Sequence, residues 1–271
     1  MTITAATKWN SNAEMILDVV ELGYIRPTDS VIDLTFGRGK WWTLYDHTRT
    51  GPFTAVFDNV NPDEHITLDY GTVTTHAGDY RCLPSGQLGL DWTDSFDVVV
   101  FDPPYVSMGG RATSGLPDFM DRYGLENAAT TPERLHDDNV LGLREAMRIT
   151  KPGGLVLAKC APYISSGVRK EGDWWARDAA IEMGLTVHDM LIHLGDVRAQ
   201  PKDGPCRACK GTGEVWFVNV ATGERTSADQ CMKCSGSGRI PRKVKHARNN
   251  YSVLWVFRKP KPRKGRKQKA T

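Results

Sequence analysis

The residues best suited to chemistry are Asp102, Pro103, Pro104 and Tyr105, which directly follow the apolar run Phe96–Phe101. A carboxylate and a proline carbonyl both accept hydrogen bonds, and proline has no N–H to compete. Together they can hold both N–H bonds of a planar aromatic amine and redirect its delocalised lone pair, while the Tyr105 ring lies flat on the base. The pattern predicts a pocket for the exocyclic amine of a nucleobase.

A base held in this way must leave the duplex. Extrusion costs a few kcal/mol. Stacking on an aromatic ring returns about 1–3 kcal/mol per base, and a hydrogen bond to a charged group returns about 1.5–3 kcal/mol. A flipped base is therefore energetically reasonable at this site.

The tetrad resembles motif IV of the amino-methyltransferases, in particular the DNA N6-adenine and N4-cytosine family, which depends on S-adenosylmethionine. The resemblance implies methyl transfer to N6 of adenine, N4 of cytosine or N2 of guanine, with Asp102, Pro103, Pro104 and Tyr105 as catalytic residues. Taken alone, the tetrad is also compatible with an ordinary Pro-Pro turn beside a surface aspartate.

Upstream, Ser30–Lys40 resembles methyltransferase motif I. We expect a buried strand that turns at Gly37 and Gly39 into a helix beginning near Trp41, because glycines let the backbone approach a ligand and a helix start presents free N–H groups. The turn lacks the third glycine of the dinucleotide pattern. Arg38 and Lys40 replace the usual small residues and could face the methionine carboxylate of the cofactor or a phosphate. The cofactor-binding residues expected here are Asp33, Thr35, Phe36, Gly37 and Gly39.

Two further acids follow the next predicted strands. Asp58 lies about twenty residues past the glycines, where doubly wound folds place an acid on the ribose hydroxyls; Asp63 and Glu64 are alternatives. Asp79 lies in a stretch that resembles motif III, which implies a hydrogen bond from the cofactor's adenine amine. Ligands of open α/β sheets bind beyond the carboxyl ends of the parallel strands, so we expect Asp58 and Asp79 to cluster there with Asp33 and Asp102.

The remaining elements complete an α/β pattern. Periodicity predicts helices over Asn12–Leu22 and Asp173–Met183, a turn at Lys151–Gly154, and strands over Leu155–Lys159, Thr186–Leu194 and Asn250–Phe257. The order resembles a Rossmann-like class I methyltransferase fold, which implies a seven-stranded, mostly parallel sheet. The domain would comprise residues 1–200 and 240–260, with the cofactor motif before the tetrad as in the γ-type DNA enzymes.

Composition narrows the class of protein. With 271 residues and 40% hydrophobic content, the chain can bury one substantial core. No apolar run reaches the ~20 residues that cross a bilayer, and residues 1–12 are too polar for a signal peptide. We therefore expect a cytoplasmic protein without a membrane partner.

The charge is unevenly distributed. Eight basic residues occur between Arg258 and Lys269, and removing them from the 35 basic residues leaves 27 against 32 acidic ones. We expect residues 261–271 to form a disordered tail that contacts nucleic-acid phosphates, or that only aids solubility.

Two insertions interrupt the pattern. Residues 107–139 are long for a connection and predict a lid over the target, with Arg111, Arg122 and Arg134 contacting phosphates, or a short helix plus disorder. Residues 201–239 contain two CxxCxGxG knuckles that resemble the cysteine-rich module of J-domain co-chaperones. Four thiolates suit a structural Zn²⁺ ion, and the ligands would be Cys206, Cys209, Cys231 and Cys234. This module would contact nucleic acid or only support the fold.

The sequence thus predicts an S-adenosylmethionine-dependent enzyme that methylates DNA, preferably at adenine N6, and carries a zinc-binding insertion. Two alternatives stay open. One is an RNA methyltransferase acting on adenine N6 or guanine N2. The other is a non-catalytic, zinc-dependent nucleic-acid-binding protein on a methyltransferase scaffold.

Overall fold

The computed structural model describes residues 9–37, 39–46, 51–57, 73–86, 90–104, 129, 131–166, 168–194, 203–219, 221–241 and 251–262. The chain divides into two compact units, Met1–Gly195 with Asn250–Thr271, and Asp196–Asn249. In chain order, the elements are α1 (Asn12–Glu21), β1 (Val31–Asp33), β2 (Phe53–Phe57), β3 (Val73–Ala77), β4 (Phe96–Phe101), α2 (Pro132–Ile149), β5 (Thr150–Cys160), β6 (Tyr163–Ser165), β7 (Val168–Lys170), α3 (Gly172–Glu182), β8 (Thr186–Leu194), β9 (Asp203–Pro205), β10 (Glu214–Val218), β11 (Arg225–Gln230), β12 (Arg239–Pro241) and β13 (Tyr251–Arg258).

The larger unit is built on one twisted sheet. Its seven strands run in the order β3-β2-β1-β4-β5-β13-β8. The pairs from β3 to β5 are all parallel, and β13 is antiparallel to both of its neighbours. The predicted α/β class with a mostly parallel sheet is confirmed. The strand order reverses between β1 and β4, which makes their carboxyl ends the topological switch point where open α/β sheets bind ligands.

Successive side chains of each strand point to opposite faces of the sheet, and both faces are apolar. On one face, Val98, Val100 and Leu157 pack against α1 and the turn that carries Trp42. On the other, Val99, Phe101 and Val156 pack against α2 and α3. Residues at the carboxyl ends of β4 and β5 therefore project alternately toward α1 or toward α2 and α3.

The helix boundaries follow from local signals. Ser11 caps α1 by accepting a hydrogen bond from the Glu14 N–H at 3.2 Å, and Gly23, at φ +76°, allows the chain to turn just after the helix. Thr131 caps α2 in the same way, followed by Pro132 in the first turn. Helix α2 is longer than the sequence suggested, because it begins inside the stretch 107–139 that lacked clear periodicity. Residues 107–128 and 130 of that stretch, with Arg111 and Arg122, lie outside the described residues.

The turn predicted at Lys151–Gly154 is wrong, since these residues belong to β5. Their backbone is held by an extension of the sheet, in which Gly153 N–H donates to Lys259 O at 2.7 Å and Lys259 N–H donates to Gly154 O at 3.0 Å. A Pro-Gly-Gly sequence favours a turn locally, but hydrogen bonds to a strand a hundred residues away decide otherwise.

The smaller unit consists of two short antiparallel pairs, β9 with β12 and β10 with β11, around a cluster of four buried cysteines. Between the two cysteine pairs, β10 and β11 form a hairpin that runs from Glu214 to Gln230. Within the part of the chain that the structure describes, no helix has both the length and the apolarity needed to span a bilayer.

Candidate functional site

Asp33 ends β1 at the switch point and is buried. Its carboxylate accepts hydrogen bonds from the Trp42 indole N–H at 2.6 Å and from the Thr35 backbone N–H at 2.9 Å. Burial raises the pKa of Asp33 to about 6, and the nearby charge of Asp102 raises it further, while the bonds from Trp42 and Thr35 act in the opposite direction. Asp33 is thus an acid that changes charge near neutral pH.

The turn after β1 has the glycine geometry expected for close approach of a ligand. Gly37 and Gly39 have φ of +53° and +64°, which only glycine adopts without strain. The Phe36 side chain is buried, and its ring packs edge-on against the Phe53 ring with 6.2 Å between the ring centres. Only its backbone remains for a cofactor.

The helix expected near Trp41 is not formed over residues 40–46. Successive turns replace it, with Trp42 N–H bonded to Gly39 O and Tyr45 N–H bonded to Trp42 O, both at 3.0 Å. Within these turns, the Trp41 indole donates to Asp102 and the Trp42 indole donates to Asp33, so each bond joins the segment to the end of a different strand.

Asp102 lies one residue beyond β4, directly in line with residues of the neighbouring strands. The pairing of Asp33 with Val100 and of Phe101 with Ala158, continued by register, places Asp102 between Thr35 and Lys159. The Asp102 backbone N–H donates to the Thr35 hydroxyl at 2.7 Å, and its carboxylate accepts from the Trp41 indole at 2.9 Å. The backbone and the carboxylate of Asp102 are therefore each held by a hydrogen bond from the segment that follows β1.

Lys159 is a site residue that sequence reasoning missed. It is buried at the end of β5, donates to Asn12 Oδ1 at 2.9 Å and lies 5.5 Å from the Trp41 ring centre. Burial lowers the pKa of Lys159, while the negative charge of Asp102 raises it. The sequence did contain a signal for this residue, namely a lysine inside an otherwise apolar strand. Burying an ammonium group is costly unless it has partners, so such a lysine indicates a polar site.

The prolines occupy different environments. Pro103 is buried, whereas Pro104 is partly exposed, and its carbonyl accepts a hydrogen bond from Asn139 Nδ2 of α2 at 3.3 Å. Tyr105 and Asp58, assigned from the sequence to stacking and to ribose binding, lie outside the described residues. Their roles stay predictions.

Asp79 follows β3 and is tied to Arg81. The guanidinium donates to both carboxylate oxygens at 2.6–2.9 Å, and the Arg81 backbone N–H donates at 2.8 Å. Partial burial works to raise the pKa of Asp79, but the bonds from Arg81 outweigh it and lower the pKa. Arg81 also pairs at 3.1 Å with Asp138, which Arg134 contacts as well. Arg134, predicted to contact phosphate, is thus engaged in an ion pair on α2.

The four predicted zinc ligands converge in the smaller unit. All are buried, and their sulfur atoms lie within 4.8 Å of one another, with Cys206 to Cys231 at 3.8 Å and Cys209 to Cys234 at 3.7 Å. A tetrahedral ion with Zn–S bonds of about 2.3 Å requires sulfur separations of roughly 3.8 Å. The cluster therefore fits a four-thiolate zinc ion in size and donor type.

The two knuckles around these cysteines have matching backbones. Cys206 N–H bonds to Gly238 O at 2.7 Å, and Cys231 N–H bonds to Gly213 O at 2.8 Å. A Cβ at Gly213 would come within 2.3 Å of Gly236 O, and one at Gly238 would come equally close to Gly211 O. Burial acts to raise the pKa of Cys209, but hydrogen bonds from the Gly213 and Gly211 N–H groups lower it, whereas burial raises the pKa of the neighbouring Cys234.

Comparisons with known proteins find similarity only at the level of structure. No family model matches the sequence, and no curated protein matches it. One similar solved structure is a candidate methyltransferase from Bacillus halodurans, with 14% identity and a TM-score of 0.47, and the match covers 91% of this chain and 99% of the other. A candidate RNA methyltransferase from Pyrococcus horikoshii has 13% identity and a TM-score of 0.44, over 92% of this chain and 83% of the other. The Burkholderia thailandensis 1,6-didemethyltoxoflavin-N1-methyltransferase with bound S-adenosylhomocysteine has 15% identity and a TM-score of 0.45, over 92% of this chain and 76% of the other. At these identities and TM-scores, the likenesses assign neither an activity nor a substrate, so the assignment depends on the site itself.

Proposed function

We propose that this protein transfers a methyl group from S-adenosylmethionine to an exocyclic base amine in DNA, preferably N6 of adenine. The observation that carries the proposal is the position of Asp102, one residue past β4 at the switch point, with Asp33 and the Gly37–Gly39 turn ending the adjacent strand. A donor bound at the glycine turn and an amine bound at Asp102 would meet at the same edge of the sheet.

The residues proposed to hold the cofactor are Asp33, Thr35, Phe36, Gly37, Gly39, Asp58 and Asp79. Among the described members, the left-handed glycines leave no Cβ at the turn, and the partly exposed Asp79 carboxylate keeps lone pairs beyond those bonded by Arg81. Asp33 is buried and would hold the turn through its hydrogen bond from the Thr35 N–H. When bound, S-adenosylmethionine supplies an electrophilic methyl group on a sulfonium, so no covalent intermediate with the protein is required.

The chain's own residues then act on the amine. Asp102 and the Pro103 carbonyl accept its two N–H bonds, which directs the nitrogen lone pair toward the methyl group. Trp41 holds the Asp102 carboxylate through one oxygen, and a carboxylate has further lone pairs available for the amine. Tyr105 is proposed to stack on the base, and solvent takes the released proton.

The experiment that tests the proposal is methyl transfer from labelled S-adenosylmethionine to DNA and RNA in parallel, followed by nucleoside mass spectrometry. N6-methyladenine in DNA is the expected product. Methylation confined to RNA would replace DNA by RNA as the substrate and leave the site assignment intact. No transfer to either polymer would reject the proposed function.

Thermal unfolding with added cofactor separates an enzyme from a binding protein on the same scaffold. A ligand at 100 times its dissociation constant stabilises the folded state by about 2.7 kcal/mol, which raises the melting temperature measurably. No shift with S-adenosylmethionine or S-adenosylhomocysteine, together with retained nucleic-acid binding, would favour the non-catalytic alternative.

The cysteine cluster is proposed to hold one structural zinc ion, and its unit to contact the nucleic acid. Support for the metal comes from the sulfur separations, and support for the contact comes from charge. Residues 196–249 contain eleven Lys and Arg against five Asp and Glu. Zinc would stabilise a unit that is too small to fold on apolar burial alone, by roughly 10–16 kcal/mol.

A further inference from the structure

Lys159 lies beside Asp102 at the end of the neighbouring strand and on the same face of the sheet. The register of β4 with β5 places the two residues next to each other, and neighbouring strands lie about 4.8 Å apart. Two residues earlier in each strand, Val100 and Leu157 face α1, and side chains alternate between the faces. Lys159 agrees with this direction, because its ammonium donates to Asn12 of α1 at 2.9 Å. A cation and an acid thus project from adjacent strands to the same side.

The Trp41 indole contacts both groups. Its N–H donates to Asp102 Oδ2 at 2.9 Å, and Lys159 Nζ lies over its ring, 5.5 Å from the ring centre. The face of an aromatic ring is electron-rich and attracts a cation, whereas the N–H at its edge suits a carboxylate. One side chain therefore connects the acid of the proposed amine site to a neighbouring cation.

The burial of Lys159 is unusual for a basic residue. It is 7% exposed and is the one buried Lys or Arg among the residues that the structure describes. An amide oxygen, an indole face and the Asp102 carboxylate surround its ammonium, and all three favour the charged form over the neutral amine. An apolar side chain at this position would avoid the cost of burying a charge, so the presence of lysine indicates a use for the charge.

The acids at the switch point provide that use. Asp33 and Asp102 follow adjacent strands, and the charge of Asp102 adds to the larger effect of burial in raising the pKa of Asp33. Two carboxylates this close repel each other, which favours protonation of one of them. A protonated Asp102 would bind the amine less well, because hydrogen bonds to a neutral acceptor are weaker. Cys160 also interacts with Asp102, but burial raises the pKa of its thiol, so it adds no charge at neutral pH. A positive charge at Lys159 offsets the repulsion.

We propose that Lys159 is a positioning residue for methyl transfer, whose ammonium holds the Trp41–Asp102 pair and offsets the charge of the two acids, so that Asp102 accepts the amine as a carboxylate. Lys159 is buried and engaged by Asn12, so it acts through its neighbours and does not touch the base. The inference rests on the proposed function and adds the residue that sets the charge of the amine site.

The first test is Lys159→Met, which removes the ammonium and keeps an unbranched side chain. The single-turnover rate of methyl transfer should fall roughly tenfold, the effect expected for losing a desolvated cation over an indole. Affinity for S-adenosylhomocysteine should stay unchanged, because Lys159 acts on the amine side of the site. A wild-type rate in the folded variant would overturn the inference.

Lys151→Met is the matched control. Lys151 lies on the same strand, β5, but at its other end, where it pairs with Asp97 of β4 at 2.7 Å. The variant loses a lysine beside an aspartate on the same two strands, far from the switch point, so its transfer rate and its cofactor affinity should equal those of the wild type. A loss of rate equal to that of Lys159→Met would overturn the inference.

A double-mutant cycle shows whether Lys159 acts through Asp102. Unfolding in urea is measured for the wild type, Lys159→Met, Asp102→Asn and the double variant. The two changes should be coupled by about fivefold or more in the equilibrium constant of unfolding, as for residues in contact. The same cycle with Asp97→Asn in place of Asp102→Asn should show no coupling, because Asp97 lies at the other end of β4. A role of Lys159 in packing alone predicts no coupling in either cycle, and that result would overturn the inference.

The outcome is separable from that of the proposed function. If the wild-type protein transfers no methyl group, the proposed function fails, and Lys159 is judged by the cycle alone. Coupling with Asp102 would then support the same charge arrangement at a site of different chemistry. Absence of coupling would overturn the inference whatever the activity of the protein.

Discussion

The indole N–H of Trp41 lies 2.9 Å from Oδ2 of Asp102, so the acid that begins the Asp-Pro-Pro-Tyr tetrad is held by a residue sixty-one positions earlier. The next residue, Trp42, holds Asp33 in the same manner at 2.6 Å. Two adjacent tryptophans therefore position one acid from each strand at the switch point. This relationship connects the proposed cofactor site to the proposed amine site.

Asp102→Ala should abolish methyl transfer while preserving cofactor binding. The variant loses the acceptor for the amine, and removing one preorganised hydrogen-bonding group from an active site costs about 10²–10³ in kcat. The measurements are single-turnover methyl transfer and titration with S-adenosylhomocysteine. The matched control is Asp137→Ala, which removes an exposed acid of α2 and should leave both values unchanged. Full activity of Asp102→Ala would remove this residue from the mechanism.

Trp41→Phe tests the positioning of Asp102. The phenyl ring preserves most of the packing and the contact with Lys159 but cannot donate a hydrogen bond. Since a hydrogen bond to a charged group contributes about 1.5–3 kcal/mol, we expect kcat to fall roughly 10- to 100-fold with little change in cofactor affinity. Unchanged kcat in a folded variant would show that the indole N–H is dispensable.

Asp33 should make stability depend on pH in a definite direction. Its pKa in the folded state is about 6, above the ordinary aspartate value of 3.8, so the folded protein binds this proton more tightly than the unfolded chain does. Stability from this group is then fully present at low pH and declines as pH rises from about 4 to about 6, by roughly 3 kcal/mol.

Asp33→Asn should remove this dependence. We expect the difference in melting temperature between variant and wild type to change across pH 4–6.5 and to stay constant above pH 7. Asp79 and Asp97, whose pKa values are lowered, contribute with the opposite sign at more acidic pH, and the comparison cancels them. A difference that does not vary with pH would contradict the raised pKa of Asp33.

Gly213→Ala should disrupt the metal cluster. Gly213 has φ +85°, and an added Cβ would meet Gly236 O at 2.3 Å. Gly223→Ala is the control, because Gly223 has a similar φ of +71° with nothing within 4 Å of the added atom. Compared with the wild-type protein, only Gly213→Ala should contain less zinc by mass spectrometry and release zinc faster to a chelator. Equal zinc content and release rates in the two variants would show that the close packing of the knuckles is not needed.

Deleting residues 263–271 should weaken nucleic-acid binding and flatten its dependence on salt. The deletion removes five basic residues, and each phosphate contact contributes roughly −0.9 to the slope of log affinity against log salt, so the slope changes by at most about 4.5. Lys259→Met is a useful control because Lys259 donates to Asp94, Met147 O and Thr150 O within the fold. It should lower stability and leave the slope unchanged. An unaltered slope after deletion would refute a role for the tail.

Local sequence signals were sufficient for much of this fold. Periodicity and alternation predicted α1, α3, β8 and β13 within one residue at each end, because each pattern reports which face of its own element is buried. They located the strand Leu155–Lys159 within β5 but missed its first residues, and they failed for the segment after Gly39, where contacts with β13, Asp33 and Asp102 override local preference.

By itself the sequence determined which residues end the strands and how the cysteines are spaced, since both are encoded within short windows of the chain. Only the tertiary structure placed Thr35, Asp102 and Lys159 in one row and held the two acids with Trp41 and Trp42. These relationships join residues far apart in the chain. They depend on strand register and helix packing, which arise from non-local contacts that no short window contains.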